Sequence, residues 1–228
     1  MNIEILEQGL FSSALVRLNP GDDFVSESGA MYRASSNIDI DVTTRSRGKG
    51  GLLAGLKRLL AAENFFFSTY QVTDNQPGEV GLAPTHAGEI RLIPLDGSVA
   101  WYCTGGSYLG SSSSLAIDTE FQGVKGLLSG ESLSFVKVSG VGQLLVSAFG
   151  RLVELPVQDA LTVDTGHVVA YEETLQYTLG KAGNSWLQSI LAGEGIVFHF
   201  TGRGKVLVQS HNPGEFGRTL GPLLPPKG

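Results

Sequence analysis

One cysteine, Cys103, occurs in 228 residues, which excludes an intramolecular disulfide and the cysteine-rich zinc patterns. The four histidines, His86, His167, His199 and His211, include no His-x-His or His-x-x-x-His pair, so a zinc site is not expected. Charge is sparse, with 17% of residues charged and a formal net charge of −6. A net-acidic chain does not hold polyanions non-specifically, although a local basic patch is still open to it. No apolar run reaches the length of a membrane-spanning helix. The start, Met1-Asn-Ile-Glu4-Ile-Leu-Glu7, carries acids where a signal peptide carries positive charge. A soluble, cytoplasmic protein is the resulting expectation.

Catalytic signatures are missing as well. There is no Gly-x-Ser-x-Gly elbow, and Cys103 has no local motif around it. Ser134 and Lys137 spell Ser-x-x-Lys, but positions three apart on a strand face opposite ways. Gly140-Val-Gly142 and Gly202-Arg-Gly204 lack the third glycine and following helix of a dinucleotide site. In Arg47-Gly-Lys-Gly50 the lysine is followed by Gly rather than Ser or Thr, so it is no phosphate loop. Neither a cofactor nor an enzyme activity is expected.

What the chain has in plenty is glycine, 31 residues, among 42% hydrophobic residues. Glycine scattered through apolar segments suits many short strands joined by tight turns. One phrase is written three times: apolar, two variable residues, two apolar, two small, then Glu. It runs Leu56 to Glu63, Val124 to Glu131 and Leu187 to Glu194. Recurrence at about a third of the chain length predicts three structural repeats that bury a core together.

Strands are expected over Asn2 to Gln8, Phe11 to Leu18, Gly29 to Arg33 and Asn37 to Thr43, where Ile38, Ile40 and Val42 alternate with Asp39 and Asp41. Leu52, Leu53, Leu56, Leu59 and Leu60 recur at helical spacing after the Ser46 to Gly51 loop, which predicts a short helix in that repeat. Phe65 to Val72, Glu79 to Leu82 and Glu89 to Ile93 read as further strands. In the second repeat, Val99 to Cys103 and Leu115 to Phe121 flank an expected Gly/Ser loop at Gly105 to Ser114. Leu133 to Val138, Val141 to Ser147 and Arg151 to Val157 follow. His167 to Tyr171, Leu175 to Leu179, Ile196 to Phe200 and Lys205 to Ser210 repeat the order in the third, with a helical turn at Trp186 to Leu191. The repeats are placed at 1–94, 95–160 and 161–211 of a single domain, 1–211. The Pro-rich tail, 212–228, is expected to be irregular.

The segments Gly29-Ala-Met-Tyr32, Asn37-Ile-Asp39, Gly50 to Leu60, Gly78 to Pro84, Val163 to Glu172 and Leu191 to Gly202 together resemble the bacterial branch of the altered inheritance of mitochondria 24 family, also called domain of unknown function 124. The likeness covers nearly the whole chain except the tail. It implies an all-β fold, with a short helix per repeat, in a pseudo-threefold sandwich or barrel-like arrangement similar to the tryptophan RNA-binding attenuation protein. It also implies no catalytic residues to carry over. Mitochondrial members of the family are associated with inner-membrane organisation.

Two groups of residues stand out as candidate sites. Glu63, Glu131 and Glu194 would suit a hard cation if they converged on an axis, but each follows two small residues at an expected helix end, where capping the turn is the stronger reading. Arg45, Arg47, Lys49, Lys57 and Arg58 form a basic stretch with no acid between Asp41 and Glu63. Glycine among cations suits phosphate contact, and the leucine face beside it suits a membrane surface. A solvated insertion whose helix packs on the core is the plainer reading. The expected function is therefore a non-enzymatic binding or scaffold protein with a protein partner. Exposed-edge logic adds a symmetric homo-oligomer. The alternatives are nucleic-acid or anionic phospholipid binding through residues 45–58, and an enzyme with a pocket between repeats.

Overall fold

Short β-branched and aromatic runs, cut every few residues by Gly, Pro, Asn or Asp, leave little room for helices and favour pleated strands. The computed structural model describes residues 1–7, 11–43, 66–120, 134–181 and 196–225. Among these the chain is all-β, with nineteen strands. The first seven are β1 (Asn2–Leu6), β2 (Ser13–Leu18), β3 (Asp23–Glu27), β4 (Met31–Ala34), β5 (Ile38–Thr43), β6 (Phe67–Val72) and β7 (Gly78–Leu82). Next come β8 (Ile90–Asp96), β9 (Trp101–Thr104), β10 (Tyr108–Ser112), β11 (Ala116–Glu120), β12 (Phe135–Ser139) and β13 (Val141–Ser147). The last are β14 (Leu152–Val157), β15 (Ala160–Asp164), β16 (Val168–Glu172), β17 (Gln176–Lys181), β18 (Ile196–Thr201) and β19 (Gly204–Gln209).

They form four sheets, ordered β1-β2-β7-β4, β5-β6-β3-β10-β13-β8, β11-β12-β9-β16-β19-β14 and β15-β18-β17. Raising each label of the second sheet by six reproduces the third. The fourth repeats the first three labels of the third under the same shift, and β4-β7-β2 in the first sheet lies six below β10-β13-β8. A bulge falls at the matching place each time, between Met31 and Arg33, Tyr108 and Gly110, and Val168 and Ala170.

The apolar faces close on three clusters. One gathers Val16, Phe24, Tyr70, Val80 and Leu145, and another is aromatic, with Tyr171, Phe135, Phe198 and Phe200. Between them, Val25 and Phe67 from early strands meet Cys103, Val146, Val169 and Leu207. The middle cluster draws on residues from Val25 to Leu207, while the other two span Ile3 to Leu145 and Phe135 to Val206.

Several expectations need correction. The Gly/Ser stretch expected as a loop contains β10, every residue of it buried in the middle of a six-stranded sheet. Its small residues are what let it fit: a Cβ on Gly110 would lie 2.6 Å from the Phe24 ring and 2.9 Å from the Val25 carbonyl oxygen. The hydroxyl of Ser111 is bonded to Tyr108 Oη at 2.9 Å, which removes the cost of burying it. Strands β3 and β15 are absent from the sequence expectations: β3 is five residues with polar ends and no alternation, while β15 alternates Leu161 and Val163 with Thr162 and Asp164 over only five residues. On β5 only Ile38 packs on the core; Ile40 and Val42 are 39% and 59% exposed, since the strand runs off the end of the sheet's buried face. The tail is not irregular throughout. Pro213–Leu220 is a helix, α1, whose first turn is capped by Asn212 accepting from Gly214 N and Glu215 N, with Pro213 where a missing N–H costs nothing. It is the only α-helix among the described residues, and none is long and apolar enough to cross a membrane. The helices expected near Leu52 to Ala62 and Trp186 to Leu191 lie outside the described residues.

The turns at Gly140 and Gly202 sit at φ 109° and 105°, where a side chain is strained, so the turns that carry the chain from β12 to β13 and from β18 to β19, from one sheet to another, need glycine there. For Gly110→Ala, overpacking against Phe24 and the β3 backbone is expected to cost about 1–3 kcal/mol. Urea unfolding of the variant checks this, and an unchanged midpoint would show that β10 is not tightly enclosed.

Candidate functional site

Three antiparallel hairpins, β5–β6, β11–β12 and β17–β18, define the places where long connections leave the sheets. The connections are residues 44–66, 121–134 and 182–195. The candidate cations Arg45, Arg47, Lys49, Lys57 and Arg58 belong to the first, and Glu63, Glu131 and Glu194 fall one in each. All eight lie outside the described residues. At the root of the first connection, Ile40, Val42 and Phe66 are exposed, Phe66 by 40%. The alternation of β5 predicted burial for Ile40 and Val42, so sequence reasoning missed this apolar strip.

Elsewhere the titratable groups are engaged pairwise across strands. Arg17 on β2 donates to Glu4 at 2.9 Å and to Glu79 at 3.0 Å, and Arg33 on β4 donates to Glu79 at 3.2 Å. The hydrogen bond from Arg17, then that from Arg33, holds the Glu79 carboxyl below its usual range. On exposed side chains such pairing adds little stability. Glu172 and Glu173, adjacent acids in sequence, point to different partners: Glu172 accepts from Lys205 N at 3.0 Å, and Glu173 takes Lys137. Lys137 also sits 5.3 Å from the centre of the Tyr102 ring. Asp39 and Asp41 are exposed on β5.

The histidines are dispersed. His199 shares a 3.0 Å hydrogen bond with Thr162, and His167 bonds the Gln209 carbonyl at 2.8 Å. His86 and His211 each stack on Phe149 with ring centres 5.1 Å apart. No group of three metal-ligating side chains occurs among the described residues. Cys103 is wholly buried, and burial pushes its thiol up to about 12, so it is not a thiolate at neutral pH.

The joints between neighbouring parts of the chain are filled by hydroxyls and small apolar groups. Thr104 Oγ1 donates to the Val168 carbonyl at 2.8 Å, and Ser107 Oγ to that of Val169 at 2.7 Å. Ser26 Oγ meets Tyr70 Oη at 3.0 Å. Glu27 is next in the chain, and burial raises its carboxyl above the ordinary range.

A continuous antiparallel architecture with sheets shared along the chain and a long connection within each of three matching hairpins defines the class of protein. The model of the family described as Mitochondrial biogenesis AIM24 matches residues 3–211, and the chain belongs to that family. It is 30% identical over 215 residues to an uncharacterized protein of Streptococcus pyogenes serotype M6, covering 92% of this chain and 86% of that protein. The crystal structure of a Streptococcus pyogenes protein superposes with a TM-score of 0.80 at 28% identity, covering 98% of this chain and 99% of the other.

A raised carboxyl means that the fold favours the neutral form of Glu27. Its contribution is then fully favourable below the ordinary carboxylate range and is lost as pH rises through the raised value. Glu27→Gln is expected to increase the urea midpoint near about pH 7, with the gain shrinking as pH falls through the raised value and then through the ordinary carboxylate range. A gain of equal size across that range would show that ionisation is not the cause.

Proposed function

We propose that this protein is a non-enzymatic binding or scaffold protein, whose body is three successive six-stranded units and whose contact segments are the connections 44–66, 121–134 and 182–195. One observation carries the reading. The thrice-written phrase, found in the sequence without reference to topology, falls between β5 and β6, between β11 and β12, and between β17 and β18, strands related by the same shift of six. The units are β2 to β7, β8 to β13 and β14 to β19, so their bounds move to 13–82, 90–147 and 152–209. The shift arises because each unit is a sandwich, with β2-β7-β4 over β3-β6-β5 in the first, and β8 and β14 open the next sandwich rather than end the previous one.

A rigid body that presents several connections from equivalent positions suits recognition, because binding residues concentrate on loops held by a scaffold. Replacing 121–134 by a short Asn-Gly turn is expected to leave cooperative unfolding and the melting temperature within about 4 °C, roughly 1 kcal/mol for a chain of this size. The same change is expected to remove partners from affinity purification in the source cell. Loss of cooperative folding would instead make that connection part of the core.

A second reading is favoured by the exposed Ile40, Val42 and Phe66 at the two ends of a connection whose sequence carries five cations. Cations next to apolar side chains suit an anionic phospholipid surface better than a nucleic acid. Retention on anionic vesicles is expected to fall on the order of 10²-fold between about 50 and about 200 mM salt if all five cations contact phosphate. It is expected to be lost when Arg45, Arg47 and Lys49 become Ser. Salt-independent retention, or none, overturns this reading.

A further inference from the structure

Matching rows across the three hairpins hold different chemistry. In the first, Thr69 of β6 lies between Val25 of β3 and Asp41 of β5. In the second the row is Tyr102, Lys137 and Asp118, and in the third it is Thr162, His199 and Thr178. The bulges align Gly110 with Ala170 and hence Val25 with Tyr102. The turn glycines Gly140 and Gly202 each stand three residues after the middle member of their row. In two rows that middle side chain is engaged. Lys137 pairs with Glu173 and sits 5.3 Å from the centre of the Tyr102 ring, and His199 shares a 3.0 Å hydrogen bond with Thr162.

In the first row Val25 offers nothing to bond. Thr69 is only 3% exposed, yet its hydroxyl, like that of Ser12, has no hydrogen-bond partner among the described residues. Native interiors rarely leave such a group unbonded, and one that persists needs an ion, a water or a function to account for it. Alternation puts Asp39 and Asp41 on the face of the sheet that carries Thr69 and Gln71, with Asp39 opposite Gln71 and Asp41 opposite Thr69. Both carboxylates are exposed, and among the described residues neither is bonded or paired. Two carboxylates, an amide and a hydroxyl thus form a two-by-two array of oxygen donors. Opposed side chains in such an array start from Cβ atoms about 4.5–5.5 Å apart, a span that one ion can bridge. Where the second row places the Lys137 ammonium beside Asp118, the first has the acids and no cation.

We propose that Asp39, Asp41, Thr69 and Gln71 bind a calcium ion. A donor set of oxygens alone suits a hard cation. Calcium fits better than magnesium, because its coordination is flexible and accepts neutral oxygens and waters, whereas magnesium demands near-octahedral order and sheds water reluctantly. The Thr69 hydroxyl offers a lone pair to the ion and its hydrogen to Asp41, so the orphaned group gains both partners. The site lies on the outermost strand of the sheet, just before connection 44–66. It is independent of the contact role proposed for that connection, which stands whether or not calcium binds here.

Calorimetric titration of calcium chloride into the full chain, stripped of divalent ions and held at constant ionic strength, tests the site. One ion per chain is expected, with a Kd on the order of 10⁻⁴–10⁻³ M, since only two charges face it. Asp39→Asn and Asp41→Asn are each expected to weaken binding on the order of tenfold, because affinity follows the number of charged ligands. Thr69→Val is expected to weaken calcium binding without lowering the calcium-free melting temperature, since it removes a buried hydroxyl that had no partner. Thr69→Ser, which keeps the hydroxyl, is expected to retain the affinity and so separates loss of a ligand from loss of packing. No saturable binding overturns the site. So does affinity unchanged in the Asp39→Asn, Asp41→Asn double variant, which places the ion elsewhere, or affinity unchanged in Thr69→Val.

Discussion

The arrangement depends on strand pairing between distant parts of the chain, because β3 finds its second neighbour in β10 and β9 in β16. Both pairings require close backbone approach under large side chains. At the first joint the Phe24 ring lies over Gly110, and Phe67 meets Tyr108 edge-on with ring centres 5.7 Å apart. At the second, the rings of Tyr102 and Tyr171 stack at 5.2 Å. Hydroxyls from Thr104, Ser107, Ser111 and Ser26 satisfy one another or nearby carbonyls, so the joints bury polar atoms without leaving these unbonded. Removing such a partner would cost more than the bond itself contributes, because the remaining group stays desolvated. The sheets are therefore held together as much by what is small and bonded as by what is apolar.

That balance decides what could be read from the amino-acid order. Strand β13 matches the expected Val141 to Ser147, since a run of seven with three adjacent large aliphatics leaves no other choice. Strand β10 was hidden because Gly and Ser carry no β propensity, and the reason for them, Phe24 and Val25, lies more than eighty residues earlier. Strand β3 was hidden because Asp23, Ser26 and Glu27 break any alternation around Phe24 and Val25. The signal for α1 was present, since Asn212 followed by Pro213 is a helix start, but four prolines in the tail outweighed it. Charge partners were invisible for another reason. Arg17 and Glu79 face each other only because β2 and β7 pair in one register, which no local spacing encodes.

The few charges have a structural consequence. Arg91 and Lys205 both approach Glu154 at 3.6 and 3.0 Å, as Arg17 and Arg33 share Glu79, so one acid serves two bases. The sequence between Asp41 and Glu63 is built oppositely, with five cations and no acid. On the proposed membrane reading, a basic stretch of this kind would attract an anionic surface even on a protein of net charge −6. The exposed Ile40 and Val42 point the same way. Strand β5 carries apolar residues past the edge of the core, where burial within the chain does not repay them, and their free energy of transfer is available to whatever surface meets that end of the hairpin.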